Sequence, residues 1–413
     1  MATPMSASYA VVLRIPHARR TFAAALTGRL SYGIVPLSVM LAVTRASGSY
    51  TVAGGVMALF GATSVFLSPA RAALVDRHGP RRSLAWMTAV YTALLGLLTA
   101  ALVRPDPAPA SVLGALAAAA GASVPPLGPT MRAVWGRLAP DRALLQRAYS
   151  LDGVAEELLF VAGPLLVGVL VGCAPPAAGI VVGAALMVAG TAGFVSSPVV
   201  RAVPPGKAAA VRRGGGGLRG LGRPVVAIAG VGLALGVVDL LVVAFAERHG
   251  HGTGGPAVAW VLAALSAGSA VGGLLNGAVD WRASAGARLP LLTAGLGLTL
   301  CGAGLASGLG TLAVAAAAAG FFVSPAITTA YLIADEAAAP EARVRAGAWV
   351  NTAVNAGSTA GTAAAGALAV RLPVGVCFAV TGAAVLATAA VVAVAGPLRR
   401  TGRLGGLSRP GPA

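Results

Sequence analysis

The chain has 413 residues, of which 57% are hydrophobic and 10% are charged, whereas about 25% of the residues in ordinary soluble domains are charged. So little charge cannot cover so much apolar side chain, which excludes a soluble globular protein. The net charge is +18. Taken alone, that charge would favour a nucleic-acid partner, but in so apolar a chain it is typical of Lys and Arg held on one side of a membrane. The 3 cysteines are too few and too scattered for a disulfide framework.

Long apolar segments follow one another along the whole sequence. A membrane-spanning helix needs about 20 mostly apolar residues, and by that criterion we predict twelve spans and an all-α membrane protein. The predicted spans are 21–44, 50–72, 84–103, 110–134, 149–171, 177–200, 224–246, 256–279, 289–309, 311–333, 346–370 and 373–395.

The basic residues test this topology independently. With the N-terminus in the cytoplasm, 25 of the 30 Lys and Arg fall in segments on the cytoplasmic side, Arg71 and Arg132 among them. Arg29 lies within the first span. This asymmetry predicts that both termini are cytoplasmic. Heavy use of Ala, Gly, Val and Arg suggests a bacterial source, so we expect a multi-pass protein of the bacterial cytoplasmic membrane.

One polar segment divides the chain into two groups of six spans. Residues 201–223 combine a Pro-Pro pair, basic side chains and a run of four glycines, which predicts a flexible cytoplasmic linker between an N-terminal bundle (1–200) and a C-terminal bundle (224–413). The glycine run lacks the Gly-Lys-Ser/Thr ending of a phosphate-binding loop.

The two groups of spans are related in sequence. Arg147-Ala148 opens the fifth span and Arg345-Ala346 opens the eleventh, at an offset of 198 residues. A Pro-acid pair precedes both spans, and a Val-Asp pair follows both the second and the eighth. Such a repeat predicts two pseudo-symmetric six-helix bundles with a binding site between them, as in many secondary transporters.

The loop after the second span carries the most specific motif. It reads Leu74-Val75-Asp76-Arg77-His78-Gly79-Pro80-Arg81-Arg82-Ser83-Leu84. This segment resembles the signature of the loop between helices 2 and 3 in the major facilitator superfamily, Gly-x-Leu-Ala-Asp-Arg-x-Gly-Arg-Arg/Lys-x-x-Leu. The leading glycine is Ala72 here, and Pro80 replaces a basic position. With the twelve spans and the repeat, the resemblance covers nearly the whole chain and implies the superfamily fold.

The chemistry of this loop suggests a role in gating. Gly79 permits a tight turn, and Arg77, Arg81 and Arg82 would hold the loop at the anionic inner surface of the membrane. Asp76 could pair with an arginine or cap the N-terminus of a neighbouring helix. The resemblance implies a latch between moving helices, and the alternative is an anchor that only fixes topology.

Glycines in the fifth span allow two interpretations. Gly163, Pro164 and Gly168 partly resemble a glycine-rich motif of proton-coupled drug exporters. The alternative is close helix packing by small residues. The Arg-x-x-Gln-Gly motif that many such exporters carry on the fourth span is absent from this sequence.

Ionisable residues within the predicted spans mark the candidate mechanism, because charge at membrane depth is costly and usually functional. Arg29 in the first span and the adjacent pair Glu156 and Glu157 in the fifth lie at similar depth, so an Arg29–glutamate pair is possible. The two glutamates point about 100° apart, so we expect one of them to face a cavity. One could carry a coupling proton, or the pair could be a fixed salt bridge.

Three further residues are candidates for the substrate cavity. Asp239 in the seventh span could bind substrate or a proton, or pair near the outer surface. Asn351 and Asn355 share one face of the eleventh span and could bind substrate or another helix. We also place Arg29 and Tyr32 of the first span in this cavity. Arg132, close behind three prolines of the fourth span, could line a cavity at a broken helix or extend to the interface.

These features predict a secondary transporter and no enzyme. The sequence holds no Gly-x-Ser-x-Gly, His-Glu-x-x-His or Cys-x-x-Cys motif, so a membrane-embedded enzyme is the weaker hypothesis, and we expect neither a cofactor nor a metal. The favoured function is proton-coupled efflux of a drug-like or secondary-metabolite compound. Proton-coupled uptake of a polar metabolite such as a sugar is the alternative. The expected partners are this substrate, protons and the lipid bilayer, without nucleic acid and with the chain as a monomer.

Overall fold

The computed structural model describes residues 9–104, 108–206, 220–249 and 256–394. In that part of the chain every regular element is helical. The helices are α1 (Ala10–Arg14), α2 (Ala18–Ser47), α3 (Tyr50–Phe66), α4 (Ser68–His78), α5 (Pro80–Val103), α6 (Ala110–Ser123), α7 (Leu127–Leu138), α8 (Arg142–Cys173), α9 (Ala177–Ser196), α10 (Pro198–Arg201), α11 (Gly222–Arg248), α12 (Pro256–Ala278), α13 (Ala285–Ala303), α14 (Leu309–Ala337), α15 (Arg343–Ala369) and α16 (Val374–Val394), with a 3₁₀ turn at Pro340–Ala342.

Most of the predicted spans are present as helices of membrane-crossing length. Within the described ranges, ten spans are long and apolar enough to cross a membrane, and the bent pair α3–α4 brings the number to eleven. The remaining predicted span is the eleventh, α15, which has 27 residues and is therefore about 40 Å long at 1.5 Å per residue. It is less apolar because it carries Arg343, Arg345, Asn351 and Asn355.

Two of the predicted spans are broken. The second bends by 44° between Phe66 and Ser68, where Pro69 stands in the first turn of α4 and has no N–H to continue the helix. The fourth is interrupted between α6 and α7 at Val124, Pro125 and Pro126.

Three helix boundaries also differ from the prediction. The ninth span ends at Ala303 rather than residue 309. The fifth begins at Arg142 rather than residue 149, and the seventh begins at Gly222 rather than residue 224. The glycine run of the linker lies outside the described residues.

The two halves use the same set of helix pairings. In the N-terminal half α2 packs on α8, α3 on α6 and α5 on α9, while in the C-terminal half α11 packs on α15, α12 on α14 and α13 on α16. In the numbering of the spans these are the pairs 1–5, 2–4 and 3–6 and their equivalents 7–11, 8–10 and 9–12. The internal repeat read from the sequence is therefore a repeat of structure.

Small residues set the distance between the paired helices. A Cβ added to Gly163 of α8 would lie 2.7 Å from Gly33 Cα of α2, and one added to Gly361 of α15 would lie 2.2 Å from the Leu233 carbonyl oxygen of α11. Both distances are too short for a side chain, so the backbones touch at equivalent places in the two halves. This contact fixes the rotation of α8 and of α15.

Apolar side chains also cover much of the outer surface. Trp86, Leu97, Val181, Trp260 and Leu298 are all exposed. Apolar surface of this extent marks contact with another apolar phase, which for a bundle of this helix length is the bilayer.

Candidate functional site

One face of the bundle is closed by contacts between the two halves. We call it the basic face and define it as the face where α2 begins, at Ala18, and α16 ends, at Val394. The helices that cross from half to half here are α8 against α12 and α14, and α15 against α4 and α7. These are again equivalent pairs: span 5 with spans 8 and 10, and span 11 with spans 2 and 4.

Asp76 makes the most direct of these contacts. It ends α4 in the N-terminal half, and its carboxylate accepts hydrogen bonds from the backbone N–H groups of Val344 (3.3 Å) and Arg345 (2.9 Å). Both belong to the first turn of α15 in the C-terminal half. These N–H groups have no partner within the helix, and the positive end of the helix dipole favours a carboxylate there. The sequence left open whether Asp76 pairs with an arginine or caps a helix N-terminus, and in the structure it caps the helix.

The rest of the loop motif is arranged around this contact. Gly79 has φ 81°, a left-handed value that favours glycine, and turns the chain from α4 into α5. Arg77, Arg81 and Arg82 are exposed and form no ion pair with the described residues. The start of the linker also touches the loop, because the Gly206 N–H donates to the Asp76 carbonyl oxygen at 2.9 Å.

Ion pairs on the basic face also join the halves. Arg142 of α8 lies 2.9 Å from Glu336 of α14, and Arg147 of α8 lies 2.8 Å from Asp280, which follows α12. Asp280 belongs to the Val-Asp pair that echoes Val75-Asp76 in the repeat. The equivalent acids of the two halves therefore both contact the start of the opposite half's long helix.

A cavity of about 190 Å³ lies between the halves. Tyr32, Arg71, Arg132 and Glu156 of the N-terminal half line it, together with Asn351 and Asn355 of α15, and its apolar walls include Phe60, Tyr91 and Phe160. Tyr32, Glu156, Asn351 and Asn355 were candidates from the sequence, and for Arg132 a cavity wall was one of two alternatives.

The helix breaks supply backbone groups to this cavity. The Tyr32 hydroxyl donates to the Pro125 carbonyl oxygen and accepts from the Leu127 N–H at 3.1 Å, and so bridges the break between α6 and α7. Arg71 donates to carbonyl groups at the ends of both α3 and α6. In the predicted topology Arg71 belongs to a cytoplasmic segment. That prediction is wrong, because α4 extends to His78 and places Arg71 about two turns within the bundle.

Next to the cavity lies a buried cluster of two arginines and two acids. Arg29 contacts Asp152 at 2.6 Å and Glu156 at 3.0 Å. Arg132 contacts Asp152 at 2.9 Å and also binds Glu156. The guanidinium of Arg132 lies 4.0 Å from the ring centre of Tyr331 in the C-terminal half. The cluster is neutral overall, so its charges compensate one another.

Two residues of the cluster lie near the ends of their predicted spans but are buried. Arg132, for which the sequence left open a cavity wall or the interface, is 4% exposed, and Asp152 is 0% exposed. Both lie deep because the helices that carry them extend further towards the basic face than predicted. The contact expected between Arg29 and a glutamate is present, and it is made to Glu156.

Glu157 points away from the cluster. Its carboxylate accepts a hydrogen bond of 2.8 Å from the hydroxyl of Ser269 on α12, in the other half. Thus the two adjacent glutamates have different partners: Glu156 binds arginines of its own half, and Glu157 binds a neutral donor across the interface.

The remaining candidates are not part of this cluster. Asp239 of α11 is exposed and forms no ion pair with any described residue. Gly163 lies at the crossing of α8 and α2, whereas nothing lies within 4 Å of a Cβ added to Gly168, and Pro164 is exposed within α8. The position of Gly163 is what close helix packing predicts.

No protein-family profile matches the chain, and no curated protein matches it. Solved structures do match it. A bacterial homologue of the iron transporter ferroportin, in an outward-facing state, has a TM-score of 0.73 at 13% identity over 91% of this chain and 97% of that chain. The human organic anion transporter MFSD10 has a TM-score of 0.67 at 15% identity, over 91% and 99%. The E. coli fucose:proton symporter FucP has a TM-score of 0.65 at 14% identity, over 92% and 98%.

The chain therefore has the major facilitator fold, as the loop motif and the repeat predicted. It is a multi-pass membrane protein with the architecture of secondary transporters. All three of these structures are of transporters.

Proposed function

We propose that this protein is a proton-coupled secondary transporter that exports a small amphipathic compound across the bacterial cytoplasmic membrane by alternating access. The observation that carries the proposal is the cavity between two repeated halves, closed on one face by contacts that cross from half to half. Rocking of the halves would exchange which face is closed. The chain would work as a monomer in the bilayer.

The orientation follows from charge. The basic face carries the exposed arginines Arg19, Arg20, Arg77, Arg81 and Arg82, and basic segments remain in the cytoplasm, where anionic lipids attract them. The closed face is then cytoplasmic and the cavity is accessible from outside. The likeness to the outward-facing ferroportin homologue agrees with this assignment.

The loop motif would act as the latch of this state. Asp76 caps α15 only while the halves meet on the basic face, so opening that face breaks both of its hydrogen bonds. Arg77, Arg81 and Arg82 would keep the loop at the headgroups, and Gly79 would keep the turn that aims Asp76 at the helix. Residues 201–223 would connect the two halves and let them rock.

Glu157 is the best candidate for the coupling proton. Its partner Ser269 lies on the opposite half, so the hydrogen bond that favours the charged carboxylate is lost when the halves separate. Glu156 is instead held by Arg29 and Arg132, both in its own half, and rocking does not separate these groups. We assign Glu156 and Arg29 to a fixed scaffold beside the substrate and Asp239 to the outer entrance.

Uptake of a polar metabolite is a second candidate. Asn351 and Asn355 place amide groups at the cavity, and one of the similar structures is a sugar:proton symporter. Export remains the preferred direction because the cavity walls are largely aromatic and aliphatic, which suits an amphipathic compound better than a sugar.

Transport in everted membrane vesicles tests the proposal. An imposed pH gradient, acid inside, should drive accumulation of the substrate from a panel of neutral, cationic and anionic compounds, with release of protons from the vesicles. Accumulation only in right-side-out vesicles would favour uptake, and transport unaffected by the pH gradient would refute proton coupling.

The variant Glu157→Gln tests the coupling residue. It should abolish accumulation of the substrate driven by the pH gradient. It should keep the exchange of internal for external substrate, because this exchange requires no net proton transfer. Glu336→Gln, at an exposed ion pair on the same face, is the matched control and should retain coupling. Full proton-driven accumulation by Glu157→Gln would exclude Glu157 as the carrier.

A further inference from the structure

We propose that the central cavity is built for an organic anion, whose carboxylate or sulfonate binds the guanidinium of Arg71. This inference names the substrate class of the proposed transporter and rests on that function. Its binding component can nevertheless be measured without transport. It follows from the position of Arg71, the charges around it and the walls of the cavity.

Arg71 is a deeply buried cation in the cavity wall. The residue is 6% exposed and lines the cavity. No carboxylate of the described residues lies within ion-pair distance of it, and its Nε is buried without a hydrogen-bond partner. A buried guanidinium without a counter-ion costs several kcal/mol. A bound anion would remove that cost.

Backbone carbonyls hold the side chain in place. Its Nη1 donates to Gly121 (3.0 Å), Ala122 (3.3 Å) and Thr63 (3.3 Å), and its Nη2 donates to Ser64 (2.5 Å). These carbonyls belong to the last turns of α3 and α6, where helix dipoles are negative. The carbonyl groups accept hydrogen bonds from Nη1 and Nη2 and so fix the guanidinium. Nε is held in a fixed direction and has no acceptor among the described residues.

The other charges near the cavity cannot serve an anion in this way. Arg29 and Arg132 are shared between Asp152 and Glu156 in four ion pairs, which leaves that cluster neutral. The positive charge of Arg71 is therefore the net charge that the described lining residues present to a ligand. A cationic substrate would be repelled, and a neutral one would leave Arg71 without a counter-ion.

The rest of the cavity specifies the body of the ligand. Phe60, Tyr91 and Phe160 provide aromatic walls, and Asn351 and Asn355 bring amide groups from α15. Because Arg71 and the two asparagines lie on opposite halves, an anion held by Arg71 would touch both moving parts. The class that fits is an aromatic or aliphatic acid with one anionic group.

Binding to the purified full chain in detergent tests the inference. The probes are naphthalene-2-carboxylate and its neutral isostere naphthalene-2-carboxamide, with protein stability followed by thermal unfolding. We expect the wild-type chain to bind the acid at least tenfold more tightly than the amide. In Arg71→Gln this preference should vanish, and in Arg71→Lys part of it should remain. Arg20→Gln, at an exposed arginine of the basic face, should keep it in full.

A second variant tests the site without removing Arg71, in case Arg71→Gln does not fold. Ser68 is buried beside the cavity, three residues before Arg71 on α4, so Ser68→Asp places a carboxylate at i, i+3 spacing. This counter-ion should abolish the preference for the acid although Arg71 is present. Ser68→Asn, of equal size but neutral, should preserve it.

The outcomes separate this inference from the proposed function. Equal binding of acid and amide, absence of binding by both, or a preference that survives in Arg71→Gln and Ser68→Asp would overturn the anion site. The transport arm uses naphthalene-2-sulfonate in everted vesicles, because this anion stays ionised and crosses bilayers slowly. If the wild-type chain binds it through Arg71 without moving it, the site stands and the transport function fails. If neutral compounds move and anions do not bind, the reverse holds.

Discussion

Asp76 shows how one side chain can join two moving halves. Its carboxylate accepts two backbone N–H groups of α15, a contact that an amide can make only in part and without the charge. We expect Asp76→Asn to lower the transport rate at least fivefold, because loss of a charged, partly buried helix cap costs about 1–2 kcal/mol and biases the halves away from the closed basic face. The amount of protein inserted in the membrane should be unchanged.

Asp280→Asn is the matched control for this prediction. Asp280 is the equivalent acid of the second half, but its side chain is 72% exposed and pairs with one arginine. Exposed pairs contribute about 0–1 kcal/mol, so its transport rate should fall by less than threefold. Normal transport by Asp76→Asn would contradict the latch.

Two Asp–Arg ion pairs with similar distances between their charged atoms differ in burial, and we expect them to differ in stability. Asp152 lies 2.6 Å from Arg29 at 0% exposure, and Asp280 lies 2.8 Å from Arg147 at 72% exposure. We expect Asp152→Asn to lower the free energy of unfolding by about 3–5 kcal/mol because it leaves buried guanidinium charge without its partner. Asp280→Asn should lower it by less than about 1 kcal/mol. Thermal unfolding in detergent compares the two, and equal losses would contradict the assignment of Asp152 to a buried network.

Part of this residue-level description can be predicted from the sequence. That Glu156 and Glu157 face different ways follows from the 100° step of a helix, but which one meets Arg29 depends on the rotation of α8, which the contact of Gly163 with Gly33 sets. Arg71 and Arg132 lie at the ends of their predicted spans and were counted with the cytoplasmic segments, because hydropathy locates the end of a helix only to within about one turn. For Arg132 the position in a cavity wall at a broken helix was one of the two alternatives that the sequence left open.

At the scale of the elements, close packing of α8 on α2 makes a quantitative prediction. A Cβ at Gly163 would lie 2.7 Å from Gly33 Cα, whereas a Cβ at Gly168 would meet nothing within 4 Å. Gly163→Val should therefore lower the free energy of unfolding by about 1–3 kcal/mol through overpacking, and Gly168→Val should change it by less than about 0.5 kcal/mol. Thermal unfolding of both variants checks this. Equal effects would show that α8 and α2 do not touch there.

The broken helices were only half predictable. Three prolines in 125–129 predict a break in the fourth span, since proline has no backbone N–H to donate to the hydrogen bonds of the helix. In the second span Pro69 stands alone within an apolar run, and an isolated proline is compatible with either a kink or a new start. The break matters for function, because it turns the carbonyls of α3 towards Arg71.

At the scale of the whole molecule, the repeat explains the symmetry of the closed face. Span 11 meets spans 2 and 4, and span 5 meets spans 8 and 10. The Val-Asp and Arg-Ala landmarks predicted two equivalent halves, but not that the landmarks themselves meet across the interface. A single sequence holds no information on that contact, because the two landmarks lie more than 130 residues apart.

The closed face can be locked to test whether it must open. A Cβ built at Gly136 of α7 would lie 3.4 Å from Asp335 Cγ of α14, which is close enough for a disulfide between Gly136→Cys and Asp335→Cys. With Cys173, Cys301 and Cys377 replaced by Ser, oxidation of this pair should reduce transport at least tenfold, and a reductant should restore it. Each single cysteine variant, treated with the same oxidant, should transport as before. Undiminished transport by the cross-linked chain would mean that substrate reaches the cytoplasm without separation of α7 from α14, and the rocking mechanism would have to be abandoned.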